Sequence, residues 1–248
     1  MYRPAWCWRK RGVRTREESA EGKQEAELSV APTLLRSVSL AGRVVTGDAL
    51  YCQHAVCRQI RRAGGHFLFA VKANQPDLAT DVALLFDQPP PGETFAVAHS
   101  HGRHGSRHEQ RTLWASSVLT AYLAEAGWPQ VQQVLRVERR VTAHGGETRE
   151  VRDFITSLDS RWSASDLLDL VRGHWRIENT VHYVRDVTFG EDASSVRSGA
   201  APHVLAVLRN TVLGLLHRRR WRNIAAALRH YAWHPASEVL RLLGLSLR

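Results

Sequence analysis

Apolar and polar positions in the first part of the chain alternate between short strand-like runs and helical spacing. Residues 42–48 form a β-branched run that ends in Asp48, which predicts a buried strand with an acid at its carboxyl end. Residues 51–63 carry apolar side chains at helical intervals and stop at a Gly-Gly pair. Residues 66–71 predict a second buried strand, and residues 77–86 predict a second helix. This order with short joins is typical of a parallel α/β unit.

A different pattern follows the proline-rich break at residues 89–92. Strand-like runs separated by glycine or polar turns lie at residues 94–98, 110–116, 131–142 and 148–158. The His-Gly-Gly sequence at residues 144–146 suits a hairpin turn between the last two runs. The pattern therefore predicts that an antiparallel β insertion interrupts the α/β unit.

From Ser163 onward the spacing of apolar residues is helical. Ser163 is suited to cap a helix, with Asp166 three residues later, and the helical pattern continues through His182. Three further helices are predicted at residues 202–218, 221–232 and 236–243. The predicted fold is therefore α/β, with an antiparallel β insertion and a helical carboxyl-terminal region. Its segments are a basic, disordered leader (1–23), a partial α/β core (24–92), the β-rich insertion (93–160), a core helix with its following loop (161–200) and a basic helical tail (201–248).

The 248 residues are 44% hydrophobic and 23% charged, which is ordinary for a globular protein. The net charge of +10 is unevenly placed: +4 over residues 1–23, −2 over residues 24–196 and +8 over residues 197–248. This balance indicates a polyanionic partner, either nucleic acid or an anionic membrane surface. No apolar run approaches the ~20 residues that span a bilayer, which favours nucleic acid. Three cysteines without a CxxC pair favour a reducing cytoplasm.

Four polar residues, His174, Glu178, His182 and Asp186, recur at intervals of four and would share one face of a helix. A solvated face with a Glu–His pair is one explanation, and an inward-facing row that binds metal is the other. Asp48 favours the second, because α/β sheets place ligand sites at the carboxyl ends of their strands. If Asp48 and Glu178 converge, their carboxylates could hold hard divalent cations. Two such ions ~4 Å apart promote attack on a phosphodiester.

Two further clusters allow a structural and a functional interpretation. Histidines at positions 99, 101, 104 and 108 suggest zinc or nickel, but no carboxylate or thiolate has a defined spacing to them, so we expect a solvated loop. The basic run of Arg218, Arg219, Arg220 and Arg222 is either a solvated turn or a phosphate contact, and the +8 tail favours phosphate. Tryptophans at positions 162, 175, 221 and 233 are expected in the core or in an interface.

Several motifs occur in an order that resembles one known family. They are GRVVTGDAL at 42–50, FLFAVKANQP at 67–76, HGR at 101–103, RTLW at 111–114, ITSL at 155–158, RGHW at 172–175, IEN at 177–179 and DVTFGED at 186–192. Together they resemble the DDE-type transposases of insertion sequences, specifically the ISAs branch.

The resemblance implies an RNase H-like fold with a β insertion before the helix that carries Glu178. It also implies that Asp48 and Glu178 are the second and third acids of the DDE triad and hold Mg²⁺ or Mn²⁺. Arg185, seven positions after Glu178, matches a basic side chain that contacts the DNA backbone. His174 takes the place of an arginine four positions before that glutamate. The implied partners are the terminal repeats of the element and target DNA, bound by a homo-oligomer in the bacterial nucleoid.

The first acid of the triad has no counterpart in this sequence. It should lie on a strand upstream of Asp48, in an Asp-Gly-Lys type motif, yet residues 1–47 contain no aspartate. We therefore expect an amino-terminally truncated or frame-shifted copy with poor catalysis and unpaired sheet edges. One alternative is a noncatalytic remnant that binds DNA or oligomerises. Another is a nuclease that uses only Asp48 and Glu178, which is disfavoured because two-metal sites usually need more acids.

Overall fold

A computed structural model describes residues 20–143, 145–177 and 183–244. The chain forms two compact units, and the division lies between His174 and Trp175. The first unit is built on a β-sheet and the second is helical. The predicted leader therefore lies outside the described residues up to position 19, while residues 20–23 belong to a helix.

The sheet of the first unit has six strands. They are β1 (Val44–Gly47), β2 (His66–Val71), β3 (Ala96–His104), β4 (Arg107–Ser116), β5 (Gln133–Ala143) and β6 (Gly146–Thr156). Their order across the sheet is β1-β2-β6-β5-β4-β3. β1 and β2 are parallel, and every other neighbouring pair is antiparallel. The predicted parallel pair and the predicted antiparallel insertion are both confirmed, and they form one continuous sheet because β6 pairs with β2.

Polar side chains fasten β6 to β2 where the two strands meet. The Thr156 hydroxyl donates to the Phe67 carbonyl at 2.7 Å and accepts from the Leu158 amide at 3.1 Å. The Ser157 hydroxyl accepts from the Phe67 amide at 3.0 Å. The Gln133 amide donates to the Leu158 carbonyl at 3.0 Å. These buried groups have partners on both strands, so the junction is stabilised beyond its backbone ladder.

Four helices pack on one face of the sheet. They are α1 (Ala20–Arg36), α2 (His54–Arg62), α3 (Pro76–Asp87) and α4 (Thr120–Glu125). Their buried side chains, such as Ile60 and Val82, pack with Phe67, Phe69 and Ile155 of the sheet in one core. Helices α2 and α3 confirm the predictions for residues 51–63 and 77–86. Helices α1 and α4 were not predicted, because Pro32 interrupts the pattern of the first and only six residues form the second.

Two cysteines belong to this core, as predicted. Cys52 and Cys57 are both fully buried and free. Burial raises the pKa of both thiols, that of Cys52 to about 12. The thiols therefore stay protonated at neutral pH and act as small apolar groups.

Helix α5 (Ala164–Ile177) follows the six strands in the chain. It begins with the predicted capping box: the Ser163 hydroxyl donates to the Asp166 carboxylate at 2.6 Å, and the Asp166 amide donates to the Ser163 hydroxyl at 3.2 Å. Its inner side buries Leu167, Leu168 and Val171. The capping prediction is confirmed, and the part of the predicted helix from residue 178 to 182 lies outside the described residues.

The second unit contains a π-helical turn (Val184–Thr188) and the helices α6 (Ala201–Arg218), α7 (Ile224–Trp233) and α8 (Ala236–Leu242). These three helices confirm the predictions for residues 202–218, 221–232 and 236–243. Leu213, Leu216 and Ala227 form the centre of a small core. Within the described ranges, every helix is too short or too polar to cross a membrane.

One interpretation of the sequence was wrong. The histidines at 99–108 lie on a β-hairpin, with His99 and His101 on β3 and His108 on β4, and not in a loop. Glycine is depleted in strands, but the continuous ladder of backbone pairs between β3 and β4 overrides that preference. Trp233 is 87% exposed, so it lies outside the core of its unit, and its place in an interface stays a prediction.

Candidate functional site

Asp48 follows directly on strand β1 and is exposed. Because β1 and β2 are parallel, their carboxyl ends meet at one edge of the sheet, the usual place for a ligand site in an α/β protein. The Asp48 carboxylate accepts a hydrogen bond from the Leu50 amide at 3.2 Å through Oδ1. That bond caps a short 3₁₀ turn (Ala49–Tyr51) and fixes the carboxylate at the sheet edge, with its other oxygen available to a ligand.

The segment around Asp48 is braced from the end of the neighbouring strand. The Asn74 amide donates to the Ala49 carbonyl at 2.7 Å, and the Gln75 amide donates to the Cys52 carbonyl at 3.0 Å. Glycine at position 47 allows close packing at the end of β1, since a Cβ there would lie 3.1 Å from the Phe69 ring. Sequence reasoning found the Asn-Gln motif but not its role, which is to hold the turn that carries the acid.

His174 of α5 reaches the same strand. Its Nδ1 lies 3.2 Å from the Thr46 hydroxyl, two residues before Asp48. The structure thus brings His174 to β1, within two residues of Asp48. Glu178 and His182, the next members of the predicted polar row, lie outside the described residues.

The Asp48 carboxylate has the donor chemistry that a hard divalent cation requires, since it is an exposed oxygen ligand on a fixed turn. No ion pair among the described residues involves Asp48. A three-donor cluster of histidine, cysteine or acid does occur in the described part of the chain, but it lies at His230, His234 and Glu238. Asp48 therefore fits one ligand of a metal site and needs at least one further acid.

Arg185, the predicted DNA-backbone contact, is held in a bidentate ion pair. Its Nε and Nη2 donate to the two oxygens of Glu191 at 2.6 and 2.5 Å. The Arg185 side chain is only 14% exposed. Hydrogen bonds from Arg185, opposed by burial, hold the pKa of Glu191 below its usual range, and the same bonds raise the pKa of Arg185. This arrangement fixes the guanidinium and neutralises much of its charge.

The predicted arginine cluster, Arg218, Arg219, Arg220 and Arg222, lies at the end of α6 and is exposed throughout. The Arg220 amide donates to the His217 carbonyl at 2.9 Å, and the Trp221 amide donates to the Leu216 carbonyl at 3.1 Å. This pair of bonds is a Schellman motif, which ends a helix with one residue in the left-handed region. That residue is Arg220, with a φ of 64°, where glycine is usual.

The turn that carries these arginines is fixed on both sides. Trp221 packs into the small core of the second unit, and Asn223 caps α7 by accepting from the Ala226 amide at 2.9 Å. The Arg219 guanidinium donates to the Arg241 carbonyl of α8 at 2.9 Å. The cluster is therefore a fixed basic surface, suited to a phosphate backbone.

A groove of about 520 Å³ on the antiparallel part of the sheet carries many charges, but they are matched with one another. The buried Glu138 carboxylate accepts from Arg140 at 2.5 Å and from Arg149 at 2.6 Å. Burial raises the pKa of Glu138, and these arginines outweigh that effect, so the net direction is downward. Arg136 donates to both oxygens of Asp153 at 2.8 and 2.9 Å. This network orders the sheet surface more than it attracts a polyanion.

The transposase DDE domain family matches residues 20–215, so the chain belongs to this family. The mixed α/β architecture is compatible with the RNase H-like fold of such transposases. The resemblance inferred from the sequence motifs is thereby confirmed at the level of the family.

Several relatives are similar over part of the chain. The "Uncharacterized protein in dhlA 3'region" of Xanthobacter autotrophicus is 36% identical over 135 residues, 53% of this chain and 44% of the relative. The "Putative transposase YncI" of Escherichia coli O157:H7 is 28% identical over 218 residues, 83% of this chain and 53% of the relative. The "H repeat-associated putative transposase YhhI" of Escherichia coli K12 is 26% identical over 196 residues, 77% of this chain and 51% of the relative. The chain spans about half the length of these relatives.

Replacing Arg220 with glycine should stabilise the second unit. Glycine adopts a positive φ without the ~1–2 kcal/mol that a side chain costs there, although it adds entropy to the unfolded chain. We expect Arg220→Gly to raise the free energy of unfolding by up to ~1 kcal/mol. The matched control, Arg218→Gly, should lower it by ~1 kcal/mol, because Arg218 lies in the last turn of α6. Urea denaturation measures the free energy of unfolding of both variants. A loss of stability in both would contradict the strain at Arg220.

Acid should weaken the second unit through Glu191. The pKa of Glu191 is lowered in the folded state, so the stability from its Arg185 pair is present above the unfolded pKa, ~4.3, and is lost as the pH falls through the folded value. Glu191→Gln should cost ~1–3 kcal/mol at pH 7 and flatten this acid-dependent loss.

Urea unfolding from pH 7 to pH 3 tests this expectation. Asp169→Asn is the control, because Asp169 is 72% exposed in its pair with Arg172 and should contribute less than ~1 kcal/mol. Parallel loss of stability in Glu191→Gln and the parent protein would show that the pair does not carry the pH dependence.

Proposed function

We propose that the protein acts on DNA in transposition, as a member of the transposase DDE domain family. The observation that carries this proposal is the family match over residues 20–215, with Asp48 exposed at the carboxyl end of β1. In this proposal Asp48 and Glu178 are catalytic and hold Mg²⁺ or Mn²⁺, since carboxylate oxygens suit these hard cations. A bound divalent ion would activate the attacking oxygen and stabilise the leaving oxygen at a phosphodiester.

The residues around Asp48 support its role as a ligand on a fixed turn. The Leu50 amide orients the carboxylate, and Asn74 braces the segment that follows. His174, hydrogen-bonded to Thr46, is proposed to face the DNA substrate beside this acid.

The basic surface supports a DNA partner. Residues 197–248 carry a net charge of +8, and Arg218, Arg219, Arg220 and Arg222 are exposed. We propose that these four side chains contact the phosphate backbone. Arg185 is proposed to contact the backbone with a geometry that Glu191 sets. The DNA would comprise the terminal repeats of the element and its target, bound by a homo-oligomer in the bacterial nucleoid.

We further propose that these 248 residues alone catalyse poorly. Residues 1–47 contain no aspartate that could serve as the first acid of the triad. Two carboxylates, Asp48 and Glu178, leave a two-metal site short of ligands. A noncatalytic role in DNA binding or oligomerisation remains the alternative function, and the same missing acid favours it.

Binding to DNA should depend on the arginine cluster and on salt. We expect the slope of log affinity against log salt to fall by about 0.9 for each arginine that contacts phosphate. The variant with Arg218, Arg219, Arg220 and Arg222 all changed to alanine tests this by fluorescence anisotropy. The control variant, Arg58→Ala with Arg62→Ala, removes two exposed arginines of α2 and should alter the slope little. Salt-independent binding would refute the phosphate contacts.

Strand cleavage should be weak or absent. Duplex DNA that carries the terminal repeats of the element, incubated with Mg²⁺ or Mn²⁺, should be cut by the 248-residue protein no faster than by its Asp48→Asn variant. Denaturing gel electrophoresis measures this. Cleavage or joining that Asp48→Asn abolishes would overturn the expectation of poor catalysis and would establish Asp48 as catalytic.

A further inference from the structure

We propose that the carboxyl-terminal helices α7 and α8 bind one Zn²⁺-like transition-metal ion through His230, His234 and Glu238. Each of these side chains offers one ligand atom, and the three atoms lie within 4.8 Å of one another. It is the one such cluster among the described residues. The site is separate in sequence and in chemistry from the acid Asp48.

Helix geometry brings the two imidazoles together. His230 lies in the last turn of α7 and His234 caps its carboxyl-terminal end, so the end of the helix places the two rings side by side. Their ring centroids are 3.8 Å apart, with the rings inclined by 30°. Glu238 of α8 completes the group, with its Oε2 3.2 Å from His230 Nε2. The three donors therefore come from two helices joined at Pro235.

The hydrogen bond of His234 fixes the tautomer that a metal ligand needs. Its Nδ1 lies 2.6 Å from the His230 carbonyl, which can only accept, so Nδ1 carries a hydrogen and Nε2 is the ring atom left to bind a metal. Metal-binding histidines usually donate their second ring nitrogen to a carbonyl or carboxylate in this way. The orienting contact is thus already present for His234.

The donor set selects the class of ion. Two imidazoles and one carboxylate suit Zn²⁺, Ni²⁺ or Cu²⁺, whereas Mg²⁺ prefers oxygen ligands. Tetrahedral zinc with bonds of ~2.0–2.2 Å places its ligands about 3.3 Å apart. His230 and Glu238 already meet that separation, and both are only about one-third exposed. Three protein ligands leave a fourth position for water.

Metal binding here would tie α8 to α7. Helix α8 also supplies the Arg241 carbonyl that accepts from Arg219 of the basic cluster. The ion would therefore stabilise the short helix that helps to hold one of the exposed arginines. This role is structural, and it does not rely on DNA cleavage.

Isothermal titration of the chelator-treated full chain with Zn²⁺, in excess Mg²⁺, tests the site. We expect one equivalent to bind, and we expect His234→Ala and Glu238→Gln each to weaken binding at least tenfold, since even second-layer partners of zinc ligands contribute ~10–100-fold. His203→Ala and His217→Ala, which remove exposed histidines of α6, are the matched controls and should bind as the parent does. Co²⁺ should give the strong visible absorption of a tetrahedral ion.

Three outcomes would overturn the proposal. One is equal Zn²⁺ affinity in His234→Ala, Glu238→Gln and the α6 controls. Another is loss of the site only on His101→Ala with His108→Ala, which would place the ion on the β3–β4 hairpin. The third is loss only on Asp48→Asn. Circular dichroism of each metal-free variant separates loss of a ligand from loss of folding, and Glu238→Gln preserves side-chain size.

Discussion

The pairing of β6 with β2 is the contact on which the first unit depends. It joins the parallel pair that ends at Asp48 to the long antiparallel strands, and it makes one sheet of two different patterns. Backbone pairing alone would leave the end of β6 free to slip. The Thr156 and Ser157 hydroxyls prevent this by bonding to both backbone groups of Phe67. A slip of one residue would turn every buried side chain outward. The hydrogen bonds of these two hydroxyls therefore also determine which residues form the core.

The register has a direct consequence for the candidate site. With β2 fixed, its carboxyl end places Asn74 and Gln75 beside the turn after β1, where they hold the segment that follows Asp48. The same register leaves Thr46 on the face that His174 of α5 reaches. The acid is therefore positioned by contacts that originate in sheet pairing, and not by the loop that carries it.

Much of this arrangement is encoded locally and could be predicted. Strand β2, the helices α6, α7 and α8 and the Ser163 cap follow from periodicity and capping chemistry. The hairpin that carries the histidines and the short α4 could not be predicted. The first depends on the pairing of β3 with β4 and the second on the burial of Leu123 in the core. At the site, the motif pattern indicated Asp48, whereas the ion pair of Arg185 with Glu191 joins residues six apart through a π-helical turn that no periodicity describes.

The end of α6 shows where local stability and charge compete. A Schellman motif favours glycine at the position of positive φ, and arginine there costs free energy that the fold must supply elsewhere. The other side chains of the turn have well-defined contacts: Trp221 is packed, Asn223 caps α7, and Arg219 bonds to α8. Strain confined to one residue in an otherwise ordered turn is typical of a functional position. For a side chain whose property is its charge, attraction to an anion, such as the phosphate backbone proposed above, would account for the strain.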